Sequence, residues 1–232
     1  MERCAPLTIC TMRPAELLRR CAAVEIPLRV LSPQLEAPDP LEVLPDCAPP
    51  FLIDAVGMCP LTLAAMLVAL TQTPASSDRG DLCPPVGVLL DPAARACRQV
   101  VALAPEVRLL IGEALPFEHL LPWARHLPAI RPVRGVIALG VAPLRPLPLP
   151  ALFLRLLAVL PHATSMVDVA ERCATSRPTL HRALASTRTV LGLPAGRERR
   201  FVPTALAEAC VQALGRMPLD SVPTTTPALV VG

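Results

Sequence analysis

Apolar residues follow one another along this chain in two rhythms. Short, mostly apolar runs occur at Leu7 to Thr11, Ile26 to Leu31, Phe51 to Val56, Val86 to Leu90, Val107 to Ile111 and Gly135 to Leu139. They are too short for helices and too uniformly apolar to keep one face wet, so they read as strands buried on both sides. Between them lie longer segments of helical character. Arg13 to Val24 puts Leu17, Leu18 and Cys21 on one side, and Pro60 to Thr71, Pro92 to Leu103 and Pro116 to His126 each begin on a proline. Strands alternating with helices predict an α/β domain over residues 1–140, a parallel sheet covered on both faces. Ser32 to Pro50, crowded with proline and acid, reads as a long connecting loop, and Thr73 to Pro85 as a polar one.

The pattern changes at Val141 to Pro150, where VAPLRPLPLP carries four prolines and reads as a semi-rigid linker between domains. A helix-only region follows, over residues 151–217. Ala151 to Leu160 is apolar almost all round and predicts a buried supporting helix. Ser165 followed by Asp168 forms a capping box that starts a second helix, whose narrow face holds Val169, Ala170 and Cys173. Ser176 is the expected N-cap of a third. Pro178 has no N–H to offer, so the serine oxygen is left with the Thr179 N–H. That helix buries Leu180, Leu184, Thr187 and Leu191, spaced by four, three and four, while Arg177, His181, Arg182 and Arg188 project from its other side around a gap at Ala185. Thr204 to Leu214 is the last helix, capped by Thr204, with Leu206, Cys210, Ala213 and Leu214 as its stripe and Ala205 and Ala209 widening it. Residues 218–232, rich in proline and threonine, are expected to be disordered.

The run from Ala170 through Ser176 and Thr179 to Leu184, ending at Leu191 and Gly192, resembles the DNA-binding domain of LuxR-type transcription regulators in unbroken register. The resemblance extends from roughly Leu149 to Leu214. It departs at Ala174, where the turn usually has glycine, at Thr175, usually apolar, and at Ala183, where histidine is frequent. It also implies a helix-turn-helix fold in which the positions of His181, Arg182 and Ala185 contact bases, and a final helix that pairs two copies. Ser176, Thr179, Arg177 and Arg188 complete the expected DNA-binding set. Pro194 to Pro203 is an insertion relative to that family, and its Arg197, Arg199 and Arg200 either touch phosphates beside the groove or form a solvated loop.

LuxR-type reader domains often follow a receiver domain, and residues 51–140 are weakly similar to one. Phe51 to Asp54 resembles the first receiver strand with its acidic end, and Val88 to Asp91 the strand that carries the phosphorylated aspartate. The rest departs: Ala55 stands where a second acid would help hold Mg²⁺, Leu110 to Glu113 offers no hydroxyl, and the chain has no lysine. Without that cationic support Asp91 is not expected to become an acyl phosphate. The segment is pseudo-receiver-like, and Asp54 and Asp91 read as polar strand ends that start loops.

Composition narrows the function. All 22 basic residues are arginine, and lysine, tyrosine and asparagine are absent beside 30 prolines, as a coding bias would produce. The arginine content alone therefore argues nothing, but its distribution does. Residues 1–148 hold 13 Arg against 14 acidic residues, a balance of −1, while 149–232 hold 9 against 5, a balance of +4. The positive charge lies with the reader, where phosphate attraction needs it. Nine cysteines form no Cys-x-x-Cys pair, and with four histidines at no ligand-like spacing no metal site is expected. An odd cysteine count without a secretory leader points to reduced thiols in a cytoplasm. The most apolar window, Phe51 to Leu70, is about long enough to cross a bilayer, yet Asp54, Gly57 and Pro60 interrupt it, so no membrane span is expected.

Catalytic constellations and cofactor loops are missing. His119 and His126 have no serine or cysteine elbow, no glycine spacing matches a dinucleotide or Walker loop, and Trp123 reads as a core or interface anchor. The expectation is a cytoplasmic, non-enzymatic, bacterial-type transcription regulator. It would bind double-stranded DNA as a homodimer through the helical region, without cofactor, and answer to an effector or partner of its α/β domain. The alternative is a protein-interaction module that uses the same helical hairpin as a docking surface.

Overall fold

The computed structural model describes residues 7–21, 28–31, 51–72, 86–104, 107–113, 137–141, 147–194 and 202–217. Six parallel strands form one sheet: β1 (Leu7–Thr11), β2 (Leu28–Leu31), β3 (Phe51–Asp54), β4 (Val86–Leu90), β5 (Val107–Gly112) and β6 (Ile137–Leu139). Their order across the sheet is β2-β1-β3-β4-β5-β6, a receiver-like topology. The α/β expectation therefore holds. Phe51–Asp54, however, is third along the chain, not the first strand that the receiver comparison assumes: two strands precede it, and β1 pairs with it in register from Thr8↔Phe51 to Thr11↔Asp54.

Every described β1 and β4 side chain is buried, as the uniform apolar runs required. Alternation divides them between faces. Cys10, Ile53, Val88 and Leu110 point into a core shared with α2 (Pro60–Gln72) and α3 (Arg95–Ala102), while Ile9, Leu52, Leu89 and Ile111 are buried outside that core. Between β1 and β2 runs α1 (Pro14–Cys21). The helix expected from Pro92 begins later, at Arg95. Asp91 Oδ1 accepts the Ala93 N–H at 2.8 Å and the Asp91 carbonyl accepts the Ala94 N–H at 3.0 Å, so a tight turn precedes it. The expected helix Pro116 to His126, Trp123 within it, and the loops Ser32 to Pro50 and Thr73 to Pro85 lie outside the described residues.

The helical region comprises α4 (Phe153–Val159) with a 3-10 turn at Leu160–His162, then α5 (Met166–Arg172), α6 (Arg177–Leu191) and α7 (Pro203–Arg216). It is not held at a distance from the sheet. Phe153, Leu154, Leu157 and Ala158 of α4 share the core of α2, whereas Leu156, Val159 and Leu160 face a second core with Val169, Leu180, Leu184 and Ala207. That double engagement explains why α4 is apolar all round, and why α2 is too: sheet covers one side and α4 the other. Cys210 and Leu214 of α7 likewise enter the sheet-side core, which α3 supports. Of the proline stretch, Leu147 and Leu149 pack on the same core. No helix among the described residues is long and apolar enough to cross a membrane.

Candidate nucleic-acid interface

Two helices and the turn between them carry the residues expected from the sequence to contact DNA. At the entry of α5 the Ser165 hydroxyl accepts the Asp168 N–H at 3.2 Å. The Asp168 carboxylate reaches one residue further back than the cap, accepting the Thr164 N–H at 2.8 Å and pairing with Arg172 Nε at 2.7 Å. The Thr164 amide first, and the Arg172 side chain second, hold the Asp168 carboxyl below its ordinary range. The helix ends where Ala174 takes a left-handed conformation, φ 48°, which lets the Thr175 N–H reach the Ala170 carbonyl at 2.9 Å. This is the position where glycine would be usual, and the alanine Cβ bears the steric cost. Arg155 of α4 closes the end by donating from Nη1 to the Cys173 carbonyl at 3.1 Å.

Ser176 then caps α6, accepting the Thr179 N–H at 3.4 Å as the missing Pro178 N–H dictates, while its hydroxyl donates to Thr179 Oγ1 at 2.9 Å. Leu180, Leu184, Thr187 and Leu191 are all buried. Arg177, Thr179, His181, Arg182 and Ala185 are exposed and Arg188 is half-buried, so spacings of three and four bring these residues to one outward face. Among the described residues Arg177, Arg182 and Arg188 pair with no carboxylate, and Arg182 Nη2 only approaches Thr179 Oγ1 at 3.5 Å. Three guanidinium groups with no carboxylate paired to them among the described residues leave the face electropositive. Gly192 ends the helix in a left-handed conformation, φ 64°, with the Leu193 N–H bonded to the Arg188 carbonyl at 2.8 Å. Arg197, Arg199 and Arg200 lie outside the described residues.

The last helix differs from expectation at its start. Its N-cap is Val202 with Pro203 at the first turn, and Thr204 lies inside the helix, exposed and making no cap bond. Proline fixes the first helical φ and needs no N–H there, so a hydroxyl cap is dispensable. Ala209 and Ala213 are half-buried and line a shallow groove of ≈ 340 Å³ with Leu191, Leu193, Arg216 and Met217.

A second polar centre went unread in the sequence. The C-terminal ends of β1 and β3 flank the point where successive strands turn to opposite sides of the sheet, the crevice where open α/β sheets place ligands. Arg13 fills it. Its Nη2 lies 3.1 Å from Asp54 Oδ1, and its Nη1 lies 3.2 Å from Glu16 and 3.3 Å from Glu113. Asp54 is buried and also accepts from Thr11 Oγ1 at 2.8 Å and the Val56 N–H at 3.2 Å. Burial lowers the Arg13 pKa, but the hydrogen bond and charge of Asp54, with Glu16 and Glu113, outweigh it and leave it above the ordinary value. An arginine just past a strand end, in a chain with an acid at another strand end, was the only signal available. Among the described residues no group of His, Cys, Asp and Glu could hold a metal ion. Compared with known proteins, the chain matches no family model, no curated protein and no solved structure.

Proposed function

We propose that this chain is a sequence-specific DNA-binding transcription regulator in which α5 and α6 act as a LuxR-like helix-turn-helix and α6 lies in the major groove. The observation that carries the reading is the outward face of α6, where Arg177, His181, Arg182 and Arg188 surround the small Ala185 and pair with no acid of the described chain. Such a face offers bidentate donors for guanine and a gap that admits a base edge, while the capped N-terminus at Ser176 favours a phosphate. The +4 balance of residues 149–232 adds attraction that does not depend on sequence.

Two copies would bind together, with Ala209 and Ala213 of α7 at the two-fold axis and the α6 helices on half-sites. Control by aspartyl phosphorylation is not part of the proposal. Asp54 already holds Thr11, Arg13 and the Val56 amide, Asp91 is tied into the turn before α3, and no lysine exists to bind phosphoryl oxygens. Selection of bound fragments from a random double-stranded DNA pool tests the function. Enrichment of an imperfect palindrome supports it; recovery of no motif, with binding that disappears uniformly as salt rises, refutes sequence-specific reading.

A further inference from the structure

The ends of β3 and β4 hand the chain to the starts of α2 and α3, and this brings two cysteines into one neighbourhood. Cys59 immediately precedes α2; its carbonyl accepts the Leu63 N–H at 3.0 Å, and the residue is exposed. Cys97 lies in the first turn of α3, only 3% exposed, and its thiol donates to the Met58 carbonyl at 3.4 Å. Standard peptide dimensions then place the Cys59 Cα within about 6 Å of the Cys97 sulfur. The Cys97 thiol points at the backbone beside Cys59, and a disulfide, whose Cα atoms stand about 4.4–6.8 Å apart, closes when that sulfur turns from the Met58 carbonyl to the Cys59 side chain. Burial pushes that thiol up to about 11, and the adjacent Cys59 and Asp91 push it the same way. Cys97 is therefore shielded as a first target of oxidants, while Cys59 faces them.

We propose that Cys59 and Cys97 form a reversible intramolecular disulfide when the protein meets a peroxide. The Cys59 thiolate attacks one oxygen of hydrogen peroxide; the O–O bond breaks, leaving a sulfenic acid and hydroxide. The Cys97 sulfur then attacks the sulfenic sulfur, the S–O bond breaks, and the Cys97 proton leaves with that oxygen as water. In total, two thiols and one peroxide give one disulfide and two waters. The new bond ties the first turn of α3 to the start of α2. Phe153 and Leu157 of α4 and Cys210 and Leu214 of α7 share one core with these two helices, so the bond is made under the C-terminal helices and not at a remote edge.

The test uses the full chain. It is treated with hydrogen peroxide, its remaining thiols are alkylated after unfolding, and the non-reduced digest is fragmented in a mass spectrometer. The expected result is a peptide pair joined through Cys59 and Cys97, two hydrogens lighter than its free components, that separates on reduction. Cys59→Ser removes an exposed side chain, leaves the core as it is and should abolish the pair. Finding Cys97 alkylated in the oxidised wild type, with Cys59 over-oxidised or joined to another cysteine or another copy, would overturn the proposal.

Discussion

Arg13 Nη2 sits 3.1 Å from Oδ1 and 3.3 Å from Oδ2 of Asp54, joining the C-terminal ends of two neighbouring parallel strands. Asp54 keeps only 2% of its side chain exposed, whereas Arg13 keeps 25%. Removing the arginine strands a buried carboxylate, a loss that costs about 3–5 kcal/mol when both partners are buried. Because water can reach the Arg13 side, Arg13→Leu should fall below that range, at about 2–3 kcal/mol. Asp54→Asn keeps an oxygen for Thr11 or Val56 and should cost less. Urea unfolding of the two variants checks the ranking, and the reverse order would mean that the network is held by Thr11 and the backbone amide instead.

Ala174 holds a left-handed backbone conformation that costs an L-residue roughly 1–2 kcal/mol, against about 0.5–1 kcal/mol for the extra unfolded freedom of glycine. Ala174→Gly should therefore stabilise the chain by about 0.5–1 kcal/mol. Its denaturation midpoint should rise with an unchanged slope. A lower midpoint would show that the alanine methyl contributes packing that outweighs the strain.

Asp168 gives the C-terminal helices a pH dependence with a defined sign. Its carboxyl is held below the ordinary range by the Thr164 amide and then by Arg172, so the unfolded chain binds the proton more tightly than the folded one. The contribution is complete at neutral pH and fades as the pH drops through and below the ordinary aspartate value of about 3.9. Thermal melts of wild type and Asp168→Asn should therefore converge toward acid and separate above it. Parallel curves across that window would contradict the assignment.

Arg182 is exposed on α6 beside His181, and its side chain hydrogen-bonds Thr179 Oγ1 at 3.5 Å. A bidentate contact to guanine is worth about 1–3 kcal/mol of discrimination. Arg182→Ala should thus flatten preference at one base position while leaving most non-specific affinity. Identical enriched motifs from the two proteins would remove Arg182 from base reading.

Ala209 and Ala213 are half-buried along one side of α7, beside the groove that Arg216 and Met217 close. If two copies meet there, Ala209→Glu with Ala213→Glu sets carboxylates against each other across the axis. Sedimentation should then show monomers, and footprinting should lose the paired half-sites about one DNA turn, roughly 34 Å, apart. A folded variant that still self-associates and protects both half-sites would move the dimer contact to the α/β part.

Much of this protein is determined over a few residues at a time, and that much was legible in the sequence. Ser165 and Ser176 cap their helices because a serine oxygen and an N–H three positions on are brought together by one helical turn, whatever surrounds them. The buried stripe from Leu180 to Leu191 and the strands at Leu7, Phe51, Val86 and Val107 follow from spacing in the same way. Only the tertiary structure decided what those faces meet. Apolarity states that α2 and α4 are covered, but not that they cover each other, nor that Cys210 of α7 joins the sheet-side core while Leu180 and Leu184 of α6 sit in the other. Strand order across the sheet is equally invisible to periodicity, so it is only in three dimensions that Phe51–Asp54, third along the chain, becomes the neighbour of β1. Arg13 shows the reason most plainly. Besides the nearby Glu16, its partners Asp54 and Glu113 stand 41 and 100 residues away, and a contact closed by chain folding leaves no mark on the local pattern of either end.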